Sequence, residues 1–293
     1  MQSLNKRIYS GLILGGVLAL MILRAPMLLV FALLSAIIII AMLEFYHIIR
    51  QSGTPSYRYL GIAGGIVLIG SSFFAHTFKG GTNAAEYELA ILFATFLALC
   101  IRQFPQKLNG QPLGTIGCTM FGVLYIPFLF NFFIKLGLTW DHNHLFSSVG
   151  LTGRLLCFYL IAVVKCTDIG AFLIGSRFGK HKLFPRLSPG KTWEGFAGGL
   201  IFGLLVSLAL FFLCHGHFGH KLMSLRDALI LGVALPLLGI IGDLVESLFK
   251  RAGGAKDTGT YIPGMGGLLD VLDSLLTSVP FFYFYALWFL PTI

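Results

Sequence analysis

PMLLVFALLSAIIIIAMLEFYHII, residues 26–49, is apolar almost from end to end and is long enough to cross a bilayer as a helix. About 20 mostly apolar residues cover roughly 30 Å of hydrocarbon at about 1.5 Å rise per residue. Outward from this stretch, runs of the same kind recur at 9–23, 59–76, 87–103, 114–138, 152–176, 195–214, 227–249 and 268–290. They leave no room for a long water-soluble domain. The predicted fold is therefore all-α, a polytopic transmembrane helical protein of about nine spans. Only Arg24 to Pro26 separates the first two runs, which predicts a tight helical hairpin. Composition agrees, since 56% of the 293 residues are hydrophobic and 11% charged, with a mean hydropathy of +0.85.

Charge sets the expected orientation. Lys6 and Arg7 precede the first run in the manner of a secretory signal, but no small-residue cleavage pattern follows, so that run reads as a retained helix. A cytoplasmic N-terminus places fourteen of the 21 lysines and arginines on the inside, as basic residues bias membrane topology. The net charge of +9 then serves orientation and contact with anionic headgroups, and nucleic acid is excluded as a partner. Cys100, Cys118, Cys157, Cys166 and Cys214 stand singly in apolar segments and read as small hydrophobes. His142, His144, His215, His217 and His220 fall in loops on the opposite side and read as surface residues. Residues 1–150 read as an N-terminal transmembrane scaffold without a reactive constellation, and 151–293 as a catalytic transmembrane region with cytoplasmic loops. No internal repeat is visible, which weakens a transporter built from inverted repeats.

The chemistry concentrates in two loops that this orientation puts on the cytoplasmic side, 177–194 and 250–267. At the end of the eighth run Asp243, Glu246, Ser247 and Lys250 share one helical face. Ionisable groups at a membrane boundary are costly and face a protein interior or a water-filled cavity. The following segment adds Lys250, Arg251 and Lys256 to neutralise phosphate oxygens, and glycines that permit close backbone approach. Asp270 and Asp273, three apart at the start of the last run, and Asp257 on the loop form a carboxylate set suited to a hard cation such as Mg2+. Phosphoryl and nucleotidyl transfer need charge neutralised and in-line geometry held, which metal ions supply. In the other loop SPGKTWEG, residues 188–195, lacks the leading glycine and preceding strand of a P-loop, but opens a helix with amides available to an anion.

GDLVESLFKR (242–251), Lys256–Asp257, Ile262–Pro263–Gly264, Gly266–Gly267, Leu269–Asp270 and Asp273–Ser274, in this order, resemble the signature of the phosphatidate cytidylyltransferase (CDP-diacylglycerol synthase) family. DIGAFLIGSRFG (168–179) and LSPGKTWEG (187–195) resemble it too. The resemblance implies attack by the phosphate of phosphatidate on the α-phosphorus of CTP, giving CDP-diacylglycerol and pyrophosphate. It implies Asp257, Asp270 and Asp273 as metal-binding and catalytic carboxylates with Lys256, and Mg2+ as cofactor with a second cation left open. Lys191, Lys250 and Arg251 would bind phosphates, with Asp243, Glu246, Ser247, Ser188, Thr192 and Glu194 in the matching substrate-binding motifs. Two positions depart from the family pattern. Met265 stands where a histidine is usual, and Val271 where an arginine is usual, so either a neighbouring cation substitutes or the activity or substrate has shifted. The expected setting is a bacterial inner membrane with the site facing the cytoplasm, and a homodimer is compatible with the sequence. The alternatives are a CTP-dependent lipid kinase, a cytidylyltransferase for an isoprenoid lipid, and a transporter. Product identity and solute flux separate them.

Overall fold

The computed structural model describes residues 25–105, 109–141, 150–254 and 267–293. Eight helices in it are long and apolar enough to cross a membrane. They are α1 (Met27–Gln51), α2 (Arg58–Lys79), α3 (Ala84–Gln103), α4 (Pro112–Leu138), α5 (Leu151–Phe178), α6 (Trp193–Leu213), α7 (Leu225–Ala252) and α8 (Leu269–Trp288). Each coincides with a predicted run to within a few residues. The ninth expected run, 9–23, lies outside the described residues, as does part of its hairpin with α1. Two short antiparallel hairpins complete the described fold, β1 (Lys182–Phe184) with β2 (Ser188–Thr192), and β3 (His217–Phe218) with β4 (Lys221–Leu222).

In lipid, no hydrophobic drive presses helix on helix, so association relies on small residues that let backbones approach and on interhelical hydrogen bonds. The α5–α6 and α6–α7 contacts follow this rule. A Cβ on Gly198 would lie 2.5 Å from Ile174 Cβ, and one on Gly203 would collide with Pro236 of α7. Tyr159 and Ser207 share a 2.6 Å hydrogen bond, and Ser207 donates to the carbonyl of Ala228 at 2.6 Å, tying α5, α6 and α7 together. Between α7 and α8 the decisive residue is Gly242, where a Cβ would collide with the carbonyl oxygen of Asp273. Thr277 adds a 2.7 Å hydrogen bond to the carbonyl of Leu238.

Helix α4 is not regular throughout. Its Leu124–Phe128 turn is a π-turn containing Pro127, whose missing N–H removes one helical bond. The proline fills the space left by Gly65 of α2, where a Cβ would lie 2.8 Å from Pro127 Cγ. The same turn sets Tyr125 among Phe121, Phe249 and Phe45, with ring centroids 5.7, 5.2 and 6.3 Å away.

The N-terminal part holds more polar chemistry than its sequence suggested. Glu88 of α3 is buried and accepts from Lys135 at 2.7 Å, Asn131 at 2.8 Å and Ser72 at 2.7 Å. Three helices converge on one carboxylate, which is the arrangement a charge deep in a bundle requires. The five cysteines are free, with Cys157 buried and the other four half-buried. His215, His217 and His220 are exposed, as expected for surface loops.

Replacing one partner of a buried ion pair strands the other. Lys135→Ala should therefore lower stability by about 3–5 kcal/mol, read as a fall in the unfolding midpoint in detergent. The double variant Lys135→Met, Glu88→Gln should recover much of that loss, and equal midpoints for wild type and Lys135→Ala would contradict the role given to this pair.

Candidate active site

At one end of the bundle the last two helices bring three carboxylates together. Asp243 and Glu246 lie one turn apart on α7, Asp273 lies in the first turns of α8, and one oxygen from each falls within 4.8 Å of the others. The absent side chain of Gly242 permits this approach, because it allows α7 to touch α8 at Asp273. Glu246 is fully buried and Asp273 is 5% exposed, so solvent screens little of their repulsion.

Cations answer that charge from three directions. Lys250 lies 2.7 Å from Glu246 and donates to Asp270 at 2.7 Å. Lys191, from the end of β2, lies 2.7 Å from Asp243. Lys165 of α5 donates to Asp168 at 3.1 Å, to Ser274 Oγ at 2.9 Å and to the carbonyl of Val271 at 2.8 Å. Ser274 in turn donates to Asp168 at 3.2 Å. Three oxygen-rich carboxylates with lysines beside them suit a hard cation together with phosphate oxygens.

The start of α8 is fixed from across the chain. Its N-cap residue, Leu268, offers no side-chain cap. Glu44 of α1, buried in the packed interior, accepts from the Leu268 and Leu269 amides at 2.9 and 2.8 Å. Asp270 accepts from the Gly267 amide at 2.6 Å. Two carboxylates at a helix N-terminus satisfy orphan amides and match the positive end of the helix dipole. Glu44 thereby sets where Asp270 and Asp273 stand.

The residues expected from sequence separate into groups. Asp243, Glu246 and Asp273 form the cluster, and Asp270, Lys250 and Lys191 border it. Ser247 is buried on the same face of α7. Thr192 instead caps α6, accepting from the Gly195 amide at 3.1 Å. Glu194 braces the β1–β2 hairpin, bonded to the His181 ring at 2.7 Å and to the Lys180 amide at 3.1 Å. Ser188 opens β2, half-buried. Arg251 is exposed and donates to the carbonyl of Leu187 at 3.2 Å, pinning the hairpin to the end of α7. Lys256 and Asp257 lie outside the described residues. Glu44 and the Lys165–Asp168 pair were missing from the expected set, although an ionisable residue inside an apolar run was the signal that could have found them.

A sequence model of the cytidylyltransferase family matches residues 5–289. A phosphatidate cytidylyltransferase of Bacillus subtilis is 34% identical over 209 residues, 71% of this chain and 71% of that protein. One from Haemophilus influenzae is 46% identical over 138 residues, 45% of this chain and 46% of the relative. One from Staphylococcus aureus is 45% identical over 124 residues, 42% of this chain and 45% of the relative. The chain thus spans about half the length of the last two and more than two thirds of the first.

If Glu44 anchors α8, Glu44→Ala should speed hydrogen exchange at Leu268 and Leu269 at least about tenfold, consistent with about 1.5–3 kcal/mol for a hydrogen bond to a charged group. Glu44→Gln keeps one acceptor oxygen and should protect in part. Unchanged exchange in Glu44→Ala would refute the anchor.

Proposed function

Because the chain belongs to the cytidylyltransferase family, we propose that it is a membrane enzyme transferring the cytidylyl group of CTP to the phosphate of phosphatidate, releasing CDP-diacylglycerol and pyrophosphate. The observation that carries this reading is the carboxylate cluster of Asp243, Glu246 and Asp273, bordered by Lys191 and Lys250 at one end of the bundle.

In this reaction an oxygen of the lipid phosphate attacks the α-phosphorus. The bond from that phosphorus to the bridging oxygen breaks, and the electron pair leaves with pyrophosphate. Both reactants are anions, so their approach requires local positive charge. Lys250 and Lys191 are placed to meet phosphate oxygens, each now held against a carboxylate at 2.7 Å that the incoming phosphate would displace. Lys165 supplies a further cation beside the start of α8, 2.8 Å from the Val271 carbonyl.

Three carboxylates with ligand atoms within 4.8 Å of one another fit a divalent cation such as Mg2+. When bound, such a cation neutralises phosphate oxygens and helps hold them in line. Asp243, Glu246 and Asp273 would hold it. Asp270 would steady Lys250, and Asp257 and Lys256 join the site on their sequence pattern alone. The β1–β2 hairpin, tied to α7 through Lys191 and Arg251, would cover the reacting phosphates and favour the lipid phosphate over water as the nucleophile. The excess of basic residues in the loops at this end supports a site facing the cytoplasm from a bacterial inner membrane.

The test is turnover of purified protein in detergent with phosphatidate, Mg2+ and α-labelled CTP. The expected result is label in lipid with an equal amount of pyrophosphate, abolished by a chelator and restored by Mg2+. Release of CDP without lipid labelling would instead mean a kinase. Asp243→Asn, Glu246→Gln and Asp273→Asn should each lower kcat at least about 100-fold with the helices intact, in the range of lost transition-state charge stabilisation. Near-normal turnover in all three would exclude the cluster as the reaction centre.

A further inference from the structure

The π-turn of α4 carries a hydroxyl that nothing so far accounts for. Tyr125 is 6% exposed, and its Oη has no hydrogen-bond partner among the described residues. A buried hydroxyl without a partner costs stability, because it has given up water for nothing. The surrounding packing requires only a ring. Phe121 stacks on it with centroids 5.7 Å apart, Phe249 meets it edge-on at 5.2 Å, and Phe45 lies 6.3 Å away, all contacts that a phenylalanine would make equally well.

What distinguishes the hydroxyl is its neighbourhood, since Phe249, which meets the Tyr125 ring edge-on at 5.2 Å, lies one turn beyond Glu246 on α7. The charges acting on it are those of Asp273, Glu246 and Asp243, the three members of the carboxylate cluster. None of them accepts a hydrogen bond from it. Lys250 lies 2.7 Å from Glu246 and Lys191 2.7 Å from Asp243, Asp273 accepts from the Ser274 amide, and the two Glu246 oxygens, like the Tyr125 hydroxyl, have no hydrogen-bond partner among the described residues. A buried donor thus stands beside the part of α7 that carries Glu246. The irregular turn that places it is of the kind that recurs at functional sites.

We propose that the Tyr125 hydroxyl donates a hydrogen bond to a phosphoryl oxygen of the substrate bound at the carboxylate cluster, a proposal that rests on the cytidylyl-transfer reading above. A phosphoryl oxygen is the acceptor that fits, since the cluster's cations draw phosphate to this place and the hydroxyl offers a neutral donor where developing charge would otherwise meet carboxylates. The oxygen belongs to either the lipid phosphate or the nucleotide, and the kinetics separate the two.

The test is Tyr125→Phe, which removes one oxygen and keeps the ring, assayed for kcat and KM with phosphatidate and CTP alongside the unfolding midpoint in detergent. The expected result is a fall in kcat/KM of about 10- to 100-fold for at least one substrate, the size of a lost hydrogen bond to a charged group, with the midpoint unchanged or raised. A rise in KM for phosphatidate alone assigns the lipid phosphate, a rise for CTP alone assigns the nucleotide, and a fall in kcat with both KM values kept assigns the transition state. Equal kcat/KM for variant and wild type with both substrates would overturn the proposal. So would lost activity with a lowered midpoint, which would make the hydroxyl structural. A wild-type protein that transfers no cytidylyl group at all would overturn the functional reading first, and this proposal with it.

Discussion

Negative charge gathered in a poorly hydrated place is the constraint from which the rest of the site follows. Asp243, Glu246 and Asp273 bring oxygens within 4.8 Å of one another, and two of the three are almost wholly buried. Such a group persists only if cations answer it, because the interior offers little screening. Lysines from α5, α7 and the β1–β2 hairpin border the cluster, so the protein itself supplies part of the counter-charge. In the proposed reaction, phosphate oxygens would compete for these lysines while a divalent cation would answer the carboxylates.

The backbone is arranged to make this gathering possible. Gly242 lets α7 lie against α8 at Asp273, and Glu44 holds the first amides of α8 from the far end of the sequence. Residues 224 positions apart are thereby joined by a single carboxylate, and α1 becomes part of the site's support rather than a lipid-facing wall. The close α5–α6 packing positions the hairpin that delivers Lys191, while Glu194 and Thr192 shape its base. Polar side chains near the site therefore divide into those that face the cluster and those that hold the frame.

Much of this was readable beforehand, for definite reasons. Transmembrane helices announce themselves through length and hydropathy, so eight runs were located to within a few residues. Helical spacing alone puts Asp243, Glu246 and Lys250 on one face, and in the fold they lie together. The pairing of α7 with α8 was not readable, and with it the preference for Asp243 and Glu246 over Asp270 as companions of Asp273. Periodicity describes one helix at a time and says nothing about which face meets which neighbour. Glu44, Glu88 and Lys165 were passed over for the same reason, since each sits in an apolar run and acquires its role only from a partner on another helix. Thr192 and Glu194 show the opposite case. Their motif was visible, but the fold uses them to cap a helix and brace a hairpin.

The central claim is that Asp243, Glu246 and Asp273 together hold a divalent cation, and binding of Mn2+ to the purified protein, followed by its electron paramagnetic resonance signal, tests it most directly. The account predicts a tightly held Mn2+ in the wild type that Mg2+ displaces and that is lost in Asp273→Asn, in a protein whose helical content is unchanged. Mn2+ bound with the same affinity by wild type and Asp273→Asn would contradict it and would send the metal, and the reaction with it, elsewhere in the molecule.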